Sequence, residues 1–117
     1  MKSKDPEAER AAAEGHRVYK AVPQLGRLRD QVLMGDVWKQ PEMSLRDRSL
    51  VTCSVLAAQG KFDEMRVHMG RAIENGVSPD ELRGLIVQVA FYAGWPAAIM
   101  AGKAALPLLE GDPAAAG

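Results

Sequence analysis

The sequence predicts an all-α protein that folds as a single compact bundle of about five to six helices. Apolar residues recur at three- and four-residue spacing along most of the chain, which is the period of one helix face. Val, Ile, Thr, Phe and Tyr nowhere form the alternating runs that are typical of strands. Serine and Asn-Gly stand where helices are expected to begin and end, as capping residues do.

The first two helices are predicted from proline positions and apolar faces. The first covers 6–20, where a proline occupies a first-turn position and an Ala-rich face follows. It ends before Val22-Pro23, because proline disfavours helical backbone in the residue that precedes it. The second covers about 25–38, presents leucine and valine side chains to one side, and ends at Gln40-Pro41.

The third helix is predicted to be the central and most buried one. Ser44 resembles an N-cap, with the acid Asp47 three residues later as in a capping box. The apolar run LVTCSVLAA follows, and the helix is expected to stop near Gln59-Gly60. Cys53 lies in this run, where a free thiol is most often a buried and unreactive residue.

A fourth helix, over 61–75, separates an apolar stripe from a polar flank. The stripe consists of Phe62, Met65, Met69, Ala72 and Ile73. The flank, again at three- and four-residue spacing, consists of Glu64, His68, Arg71 and Asn75. We therefore expect the flank to lie at the edge of the core, not in open water.

The last two helices follow a well-marked boundary. Asn75-Gly76 is typical of a left-handed helix end, and Ser78 with Glu81 three residues later is typical of a new start. Helices are expected over 79–93 and about 96–109, and the tail 110–117 is expected to be frayed.

Composition excludes several classes of function. The 117 residues are predicted to form one domain over 1–117, with fifteen Lys and Arg balancing fifteen Asp and Glu. Because no basic cluster occurs, we expect no nucleic-acid partner. The first residues are charged, and no apolar stretch approaches the roughly 18 residues of a membrane span. We therefore expect a cytoplasmic protein without a membrane partner.

Cysteine and histidine usage argues against a metal site. A single cysteine forms neither an internal disulfide nor a cysteine-based zinc site. Neither His16 nor His68 has the spacing of a metal pair, so no metal is predicted, and His16 is assigned no role. A short chain with six Met and many Ala has flat helix faces that one small bundle cannot cover, which predicts a homo-oligomer.

Three consecutive stretches resemble the body of the carboxymuconolactone decarboxylase family. They are MSLRDRSLVTCSVLAAQGKFDE, MRVHMGRAIENGVSPDELRGLI and VQVAFYAGWPAAIMAGKAA, within a core of about 25–109. The most specific pieces are Arg48-Ser49-Leu50, the segment 68–76 (HMGRAIENG), the capped segment 78–81 and the segment 92–98. The resemblance implies an alkylhydroperoxidase-like fold and a homo-oligomer, a trimer or a hexamer. It also implies the activity of the family's namesake, decarboxylation of 4-carboxymuconolactone in aromatic-compound catabolism.

A second branch of the same family consists of alkylhydroperoxidases. That branch carries Cys-x-x-Cys followed four residues later by His, whereas this chain has Lys61 and Glu64 at the positions counted back from His68. Without the two thiols there is neither a thiolate nucleophile nor a resolving partner. A thiol peroxidase is therefore the weakest of the functions that the family suggests.

The resemblance implies a cofactor-free decarboxylase that acts on a small carboxylated lactone, because such a substrate carries its own electron sink. His68 is the candidate proton donor, since an imidazole pKa lies near working pH, and Glu64 one turn earlier is a candidate to orient it or raise its pKa. Arg48 is suited to clamp a carboxylate, and Trp38 and Tyr92 to form apolar walls.

Each of these residues also has a purely structural interpretation. His68 and Glu64 can form a surface pair on one helix, and Arg48 can cap a helix or bridge subunits. Trp38 and Tyr92 can be packing residues of a small core. The alternative function is therefore a non-catalytic, oligomeric small-molecule-binding protein of the same fold.

Overall fold

The computed structural model describes residues 5–111, and no strand occurs in this range. The chain forms α1 (Pro6–Ala21), α2 (Pro23–Leu28), a π-helical turn (Arg29–Leu33), a 3₁₀ turn (Val37–Lys39), α3 (Leu45–Ala58), α4 (Phe62–Glu74), α5 (Pro79–Tyr92) and α6 (Trp95–Glu110). The prediction of a compact all-α bundle is confirmed. Of the tail expected to fray, Glu110 still belongs to α6, and residues 112–117 lie outside the described range.

The predicted caps explain why the helices begin where they do. The Ser44 side chain accepts a hydrogen bond of 3.0 Å from the Asp47 backbone N–H at the start of α3. At the start of α5, Ser78 and Glu81 form a reciprocal capping box with bonds of 3.0 and 3.1 Å. Such caps stabilise a helix by about 1 kcal/mol each. Gly76, at φ +100°, makes the left-handed turn between α4 and α5.

The predicted helix over 25–38 is wrong in its middle. Regular helix ends at Leu28, and one π-helical turn follows in which the Met34 N–H reaches back five residues to the Arg29 carbonyl, at 2.8 Å. The chain then bends at Gly35, where a Cβ atom would meet the carbonyl oxygens of Asp30 and Gln31 at 2.7 and 2.6 Å. Only glycine fits this close approach, so the bend separates the π-helical turn from the 3₁₀ turn.

The core lies between α3, α4, α5 and α6. Its two largest fully buried members are Met65 and Met69 of α4, and the predicted stripe of α4 is confirmed with Ala72 buried and Phe62 and Ile73 partly buried. Facing them are buried residues of the other three helices: Cys53, Ala57, Leu82, Leu85, Val89, Ala98, Ala101 and Ala105. The small alanines of α6 let its backbone approach α4 closely.

The expectation that α3 is the most buried helix is wrong. Val51 and Val55 are 50% and 47% exposed, although Cys53 between them is fully buried. The apolar run surrounds the whole helix, and only one side of it packs on α4, α5 and α6. The other side is an apolar surface of the single chain.

Helix α1 is held against α4 at its N-terminal end. Ala8 and Ala11 are buried in the contact, and the Arg66 guanidinium of α4 lies 3.5 Å from the Asp5 carboxylate and 3.7 Å from that of Glu7. This anchor places the second half of α1 over the polar flank of α4. Within residues 5–111, no helix is both long enough and apolar enough to cross a membrane.

Candidate active site

A cavity of about 100 Å³ lies between α1, the π-helical turn, the 3₁₀ turn and the polar flank of α4. Its walls are Ala11, Ala12, Gly15, His16 and Tyr19 of α1, Arg29, Leu33, Met34 and Trp38 of the two turns and the residue after the first, and Glu64, Val67, His68 and Arg71 of α4. The prediction that this flank lies at the edge of the core is confirmed for His68, Arg71 and Asn75, which are half-buried, and is wrong for Glu64, which is exposed. The spacing of the flank on one helix is what aims Glu64, His68 and Arg71 at a common space.

His68 is the most constrained polar group of the cavity. Its ring stacks on Trp38, with 6.5 Å between the ring centroids and 15° between the planes. Its Nδ1 atom is buried and has no hydrogen-bond partner in the described part of the chain. An unsatisfied buried nitrogen costs about 1–3 kcal/mol. Such an atom is expected where a water or a ligand completes the site.

The imidazole of His68 is neutral at physiological pH. Burial, followed by the positive charges of Arg71 and Arg29, lowers the pKa of His68 from 6.5 to about 4. The expectation that this pKa lies near working pH is therefore wrong. Glu64 does not counter the effect, since it is exposed and no hydrogen bond or ion pair joins it to His68 among residues 5–111.

Two arginines make the cavity cationic. The Arg29 guanidinium lies 5.3 Å from the centroid of the Tyr19 ring and 3.1 Å from the Asp30 carboxylate. Arg71, one turn after His68, is half-buried and has neither a hydrogen-bonded oxygen nor a carboxylate within 4 Å in the described range. A guanidinium with unused donors beside a buried imidazole is suited to hold an anion.

The structure brings three of the five predicted site residues together. His68, Glu64 and Trp38 line the same cavity. Arg48 does not: its guanidinium donates to the backbone carbonyls of Met43, at 3.1 Å, and Gln40, at 3.0 Å. In this chain Arg48 therefore holds the segment that connects the 3₁₀ turn to α3. Tyr92, at the end of α5, is 84% exposed and lies outside the cavity wall.

Sequence reasoning missed the residues that α1 and the π-helical turn supply. His16, which was assigned no role, lies at the cavity rim, and Tyr19 and Arg29 form part of the wall. No motif marks these positions. The only usable signal was that helix 6–20 is rich in small residues, which lets it lie close to another helix.

The cysteine is remote from this chemistry. Cys53 is fully buried in the core, and burial raises the pKa of its thiol to about 12. It therefore carries no thiolate at physiological pH, as expected for an unreactive core residue. Among residues 5–111, no group of three or more His, Cys, Asp and Glu side chains is placed to hold a metal ion.

Comparison with known proteins places this geometry in a family. The model of the "Carboxymuconolactone decarboxylase family" matches residues 23–106. A 4-carboxymuconolactone decarboxylase of Acinetobacter baylyi is 48% identical over 63 residues, which cover 54% of this chain and 47% of that protein. A nitrosuccinic acid decarboxylase of Metarhizium robertsii is 36% identical over 67 residues, which cover 57% of this chain and 47% of that protein. The match thus spans about half the length of these curated relatives, and α1 lies outside the residues that the family model matches.

Proposed function

The chain belongs to the carboxymuconolactone decarboxylase family, and from this premise we propose that it is a cofactor-free decarboxylase of a small carboxylated lactone such as 4-carboxymuconolactone. The observation that carries the proposal is the cavity in which the half-buried His68 imidazole lies beside two arginines, with its buried Nδ1 atom lacking a hydrogen-bond partner among residues 5–111. Both relatives are named for the decarboxylation of small acids.

The chemistry of those acids explains why no cofactor is needed. In 4-carboxymuconolactone the departing carboxylate is attached to the saturated carbon gamma to the lactone carbonyl, and a double bond links that carbon to the carbonyl. In nitrosuccinic acid one carboxyl group shares its carbon with a nitro group. In both, the electron pair of the breaking C–C bond flows into an acceptor that the substrate itself carries, and carbon dioxide leaves. The protein then has to hold the acid, stabilise the new anion and deliver one proton to carbon.

The cavity residues divide these tasks. Arg29 and Arg71 offer positive charge to the anion, and Trp38 fixes the plane of the His68 ring by stacking on it. Met34, Val67 and Ala11 exclude water, which strengthens each electrostatic contact. His68 is the proton donor to carbon, and Glu64 at the rim stays a candidate to exchange that proton with solvent.

A second candidate is a non-catalytic binding protein of the same fold. The observation that favours it is the cavity volume of about 100 Å³, since sites for drug-sized ligands usually reach about 300–1,000 Å³. A substrate with two carboxylates enters only if α1 or the turns move outward. The catalytic proposal includes that movement; the binding alternative does not require it for a smaller anion.

Assembly as a homo-oligomer, a trimer or a hexamer, is part of the proposal. Phe91 and Trp95 are 75% and 63% exposed and contact each other edge to face, and Val87, Tyr92 and Ile99 extend the same apolar surface. Monomeric proteins rarely expose large contiguous apolar patches. Light scattering on the purified chain should show a species several times the mass of 12.6 kDa. A monomer at micromolar concentration would contradict this part.

Turnover tests the catalytic part. The purified chain, without added metal or cofactor, is mixed with 4-carboxymuconolactone, related carboxylated lactones and nitrosuccinate, and each reaction is followed by ultraviolet absorbance and carbon dioxide release. We expect turnover of at least one acid with a built-in electron acceptor. Binding of these acids without carbon dioxide release would favour the binding protein instead.

A further inference from the structure

We propose, on the basis of the proposed function, that Arg29 and Arg71 bind the carboxylates of a dianionic substrate and that the bound dianion allows His68 to take up the proton that it later delivers. Binding of the substrate thus protonates the residue that later donates the proton. The resemblance assigns no role to either arginine, and they come from different elements, the π-helical turn and α4.

The geometry provides for two anionic groups. Both arginines line the same small cavity as His68. The Arg29 guanidinium lies over the Tyr19 ring, which fixes its plane, and it is paired with the carboxylate of Asp30, an exposed residue. Arg71 has no counter-ion in the part of the chain that the structure describes. A planar guanidinium with free donors is the group that pairs best with a carboxylate, through two parallel hydrogen bonds.

The charges that face His68 decide when it holds a proton. From α4 the charged or titratable groups are Arg71 and Glu64, from the π-helical turn Arg29, and from α1 the rim residue His16 and Tyr19; the 3₁₀ turn offers the uncharged Trp38. Glu64 is exposed, so its charge is screened by water. The side chains around the cavity are therefore net positive, and a further positive charge on His68 is opposed.

A bound dianion removes the electrostatic repulsion that disfavours protonation of His68. Burial lowers the pKa of His68 most, and Arg71 and Arg29 lower it further. Carboxylates bound to the two guanidinium groups neutralise the second and third causes and add negative charge beside the ring. An opposite charge within about 4–6 Å shifts a pKa by roughly 1–3 units. We therefore expect the pKa of His68 to rise by roughly that amount when the dianion binds.

The proton and charge balance of a turnover follows. The dianion and one proton from solvent bind, and His68 becomes an imidazolium. The C–C bond breaks, its electron pair enters the substrate's acceptor, and carbon dioxide leaves with no net charge. The imidazolium then gives its proton to carbon and returns to the neutral form. The product is a monoanion with one carboxylate fewer, so the two arginines hold it less tightly than the substrate and release is favoured.

The first test follows the two histidines by NMR, with His68 assigned through His68→Gln and His16 as an internal reference. The chain is titrated with pH alone, in saturating succinate, and in butyrate, which has the same carbon count and one carboxylate. We expect succinate to raise the pKa of His68 by roughly 1–3 units and butyrate by clearly less. A His68 signal that does not respond to succinate overturns the proposal, as does an equal response to butyrate.

Substitutions of the two arginines test whether they bind the carboxylates and cause the pKa shift of His68. Arg29→Gln and Arg71→Gln should each weaken succinate binding about tenfold or more and reduce the shift of His68, whereas the exposed Arg27→Gln, outside the cavity wall, should change neither. Arg71→Lys keeps the charge but not the paired hydrogen bonds, so it should weaken binding while leaving the pKa of the empty site low. Circular dichroism checks folding. Unchanged succinate affinity in folded Arg29 and Arg71 variants contradicts the assignment.

The pH profile of turnover separates this inference from the proposed function. If substrate binding causes His68 to take up the proton, kcat/KM falls as pH rises above the pKa of His68 in the free enzyme, near 4. The kcat value, which reports the enzyme–substrate complex, persists to higher pH. Turnover with identical pH limits for kcat and kcat/KM would overturn this inference, because substrate binding would then not change the pKa of His68, but it would still support a decarboxylase. Succinate-dependent protonation of His68 without any turnover would support the role of the two arginines and contradict the proposed decarboxylase function.

Discussion

The two parts of the described chain on either side of residue 44 differ in how many buried residues stabilise them. From residue 12 to residue 48 no residue is buried, whereas α3 to α6 contain nearly all of the core. Yet the cavity is shared between them: Glu64, His68 and Arg71 stand on the packed part, and Arg29 and Trp38 on the loosely packed part. Few buried contacts mean a lower cost of local opening. The packed part therefore fixes the imidazole that we propose as proton donor, and the loosely packed part is the one that we expect to move when a substrate larger than the cavity binds.

The largest expected effect is the loss of turnover on substitution of His68, which stands on the packed part. His68→Gln should lower turnover about 10²–10⁴-fold, because the positioned proton donor is lost. Circular dichroism and light scattering should show unchanged helicity and assembly, since His68 is not one of the buried core residues. Near wild-type turnover of an established substrate by this variant would make His68 a structural residue.

Filling the cavity from α1 should reduce binding without loss of stability. Gly15 lines the cavity, and a Cβ atom there meets nothing within 4 Å. Gly15→Leu therefore occupies substrate space and should raise KM roughly tenfold or more, since even one misplaced methylene in a site costs about 1–3 kcal/mol. A leucine is also a better helix former than glycine by about 1 kcal/mol, so the melting temperature should not fall.

The matched control for this substitution is Gly84→Leu in α5, which is exposed, also has open space at Cβ, and lies outside the cavity wall. It should gain the same helix propensity and keep the wild-type KM. Equal KM values for both variants would show that α1 does not wall the substrate site.

Releasing the anchor of α1 should cost about 1–3 kcal/mol, because a buried carboxylate then loses a charged partner. Arg66→Gln removes the cation that lies near the buried Asp5 carboxylate and near Glu7. Urea unfolding measures the loss, and protease sensitivity near residue 21 should rise, because α1 then opens more often. Arg10→Gln, whose partners Glu7 and Glu14 are well exposed, is the control and should change stability by less than about 1 kcal/mol. An Arg66 variant as stable as wild type would mean that packing alone holds α1.

The smallest effect is a pH dependence of stability that originates in the site. The pKa of His68 is about 4 in the folded chain and 6.5 when exposed, so between these values the unfolded chain binds more protons. The stabilising contribution of neutral His68 is complete above pH 6.5 and is lost as pH falls towards 4. Urea midpoints measured across this window should show a flatter dependence in His68→Gln than in wild type. Identical slopes would mean that the folded imidazole titrates normally.

Local physical chemistry by itself determined the helices and the flank that carries the site. Ser44, Ser78 and Gly76 act within one helical turn, so their roles follow from neighbouring residues alone, and the bounds of α3 to α6 were predicted to within two residues or so. The three- and four-residue spacing of Glu64, His68 and Arg71 likewise placed them on one side of α4 before any packing was known.

Tertiary structure alone decided what meets those residues. Trp38 stacks on a ring thirty positions later in the chain, and Arg29 reaches the same cavity from a π-helical turn that no propensity marks. Arg48, suited by chemistry to a carboxylate, is engaged by backbone carbonyls of Gln40 and Met43 instead. The pKa of His68 depends on burial and on charges brought in by distant segments. Capping and periodicity are local and can be read along the chain, whereas desolvation and charge proximity exist only once remote segments have packed together.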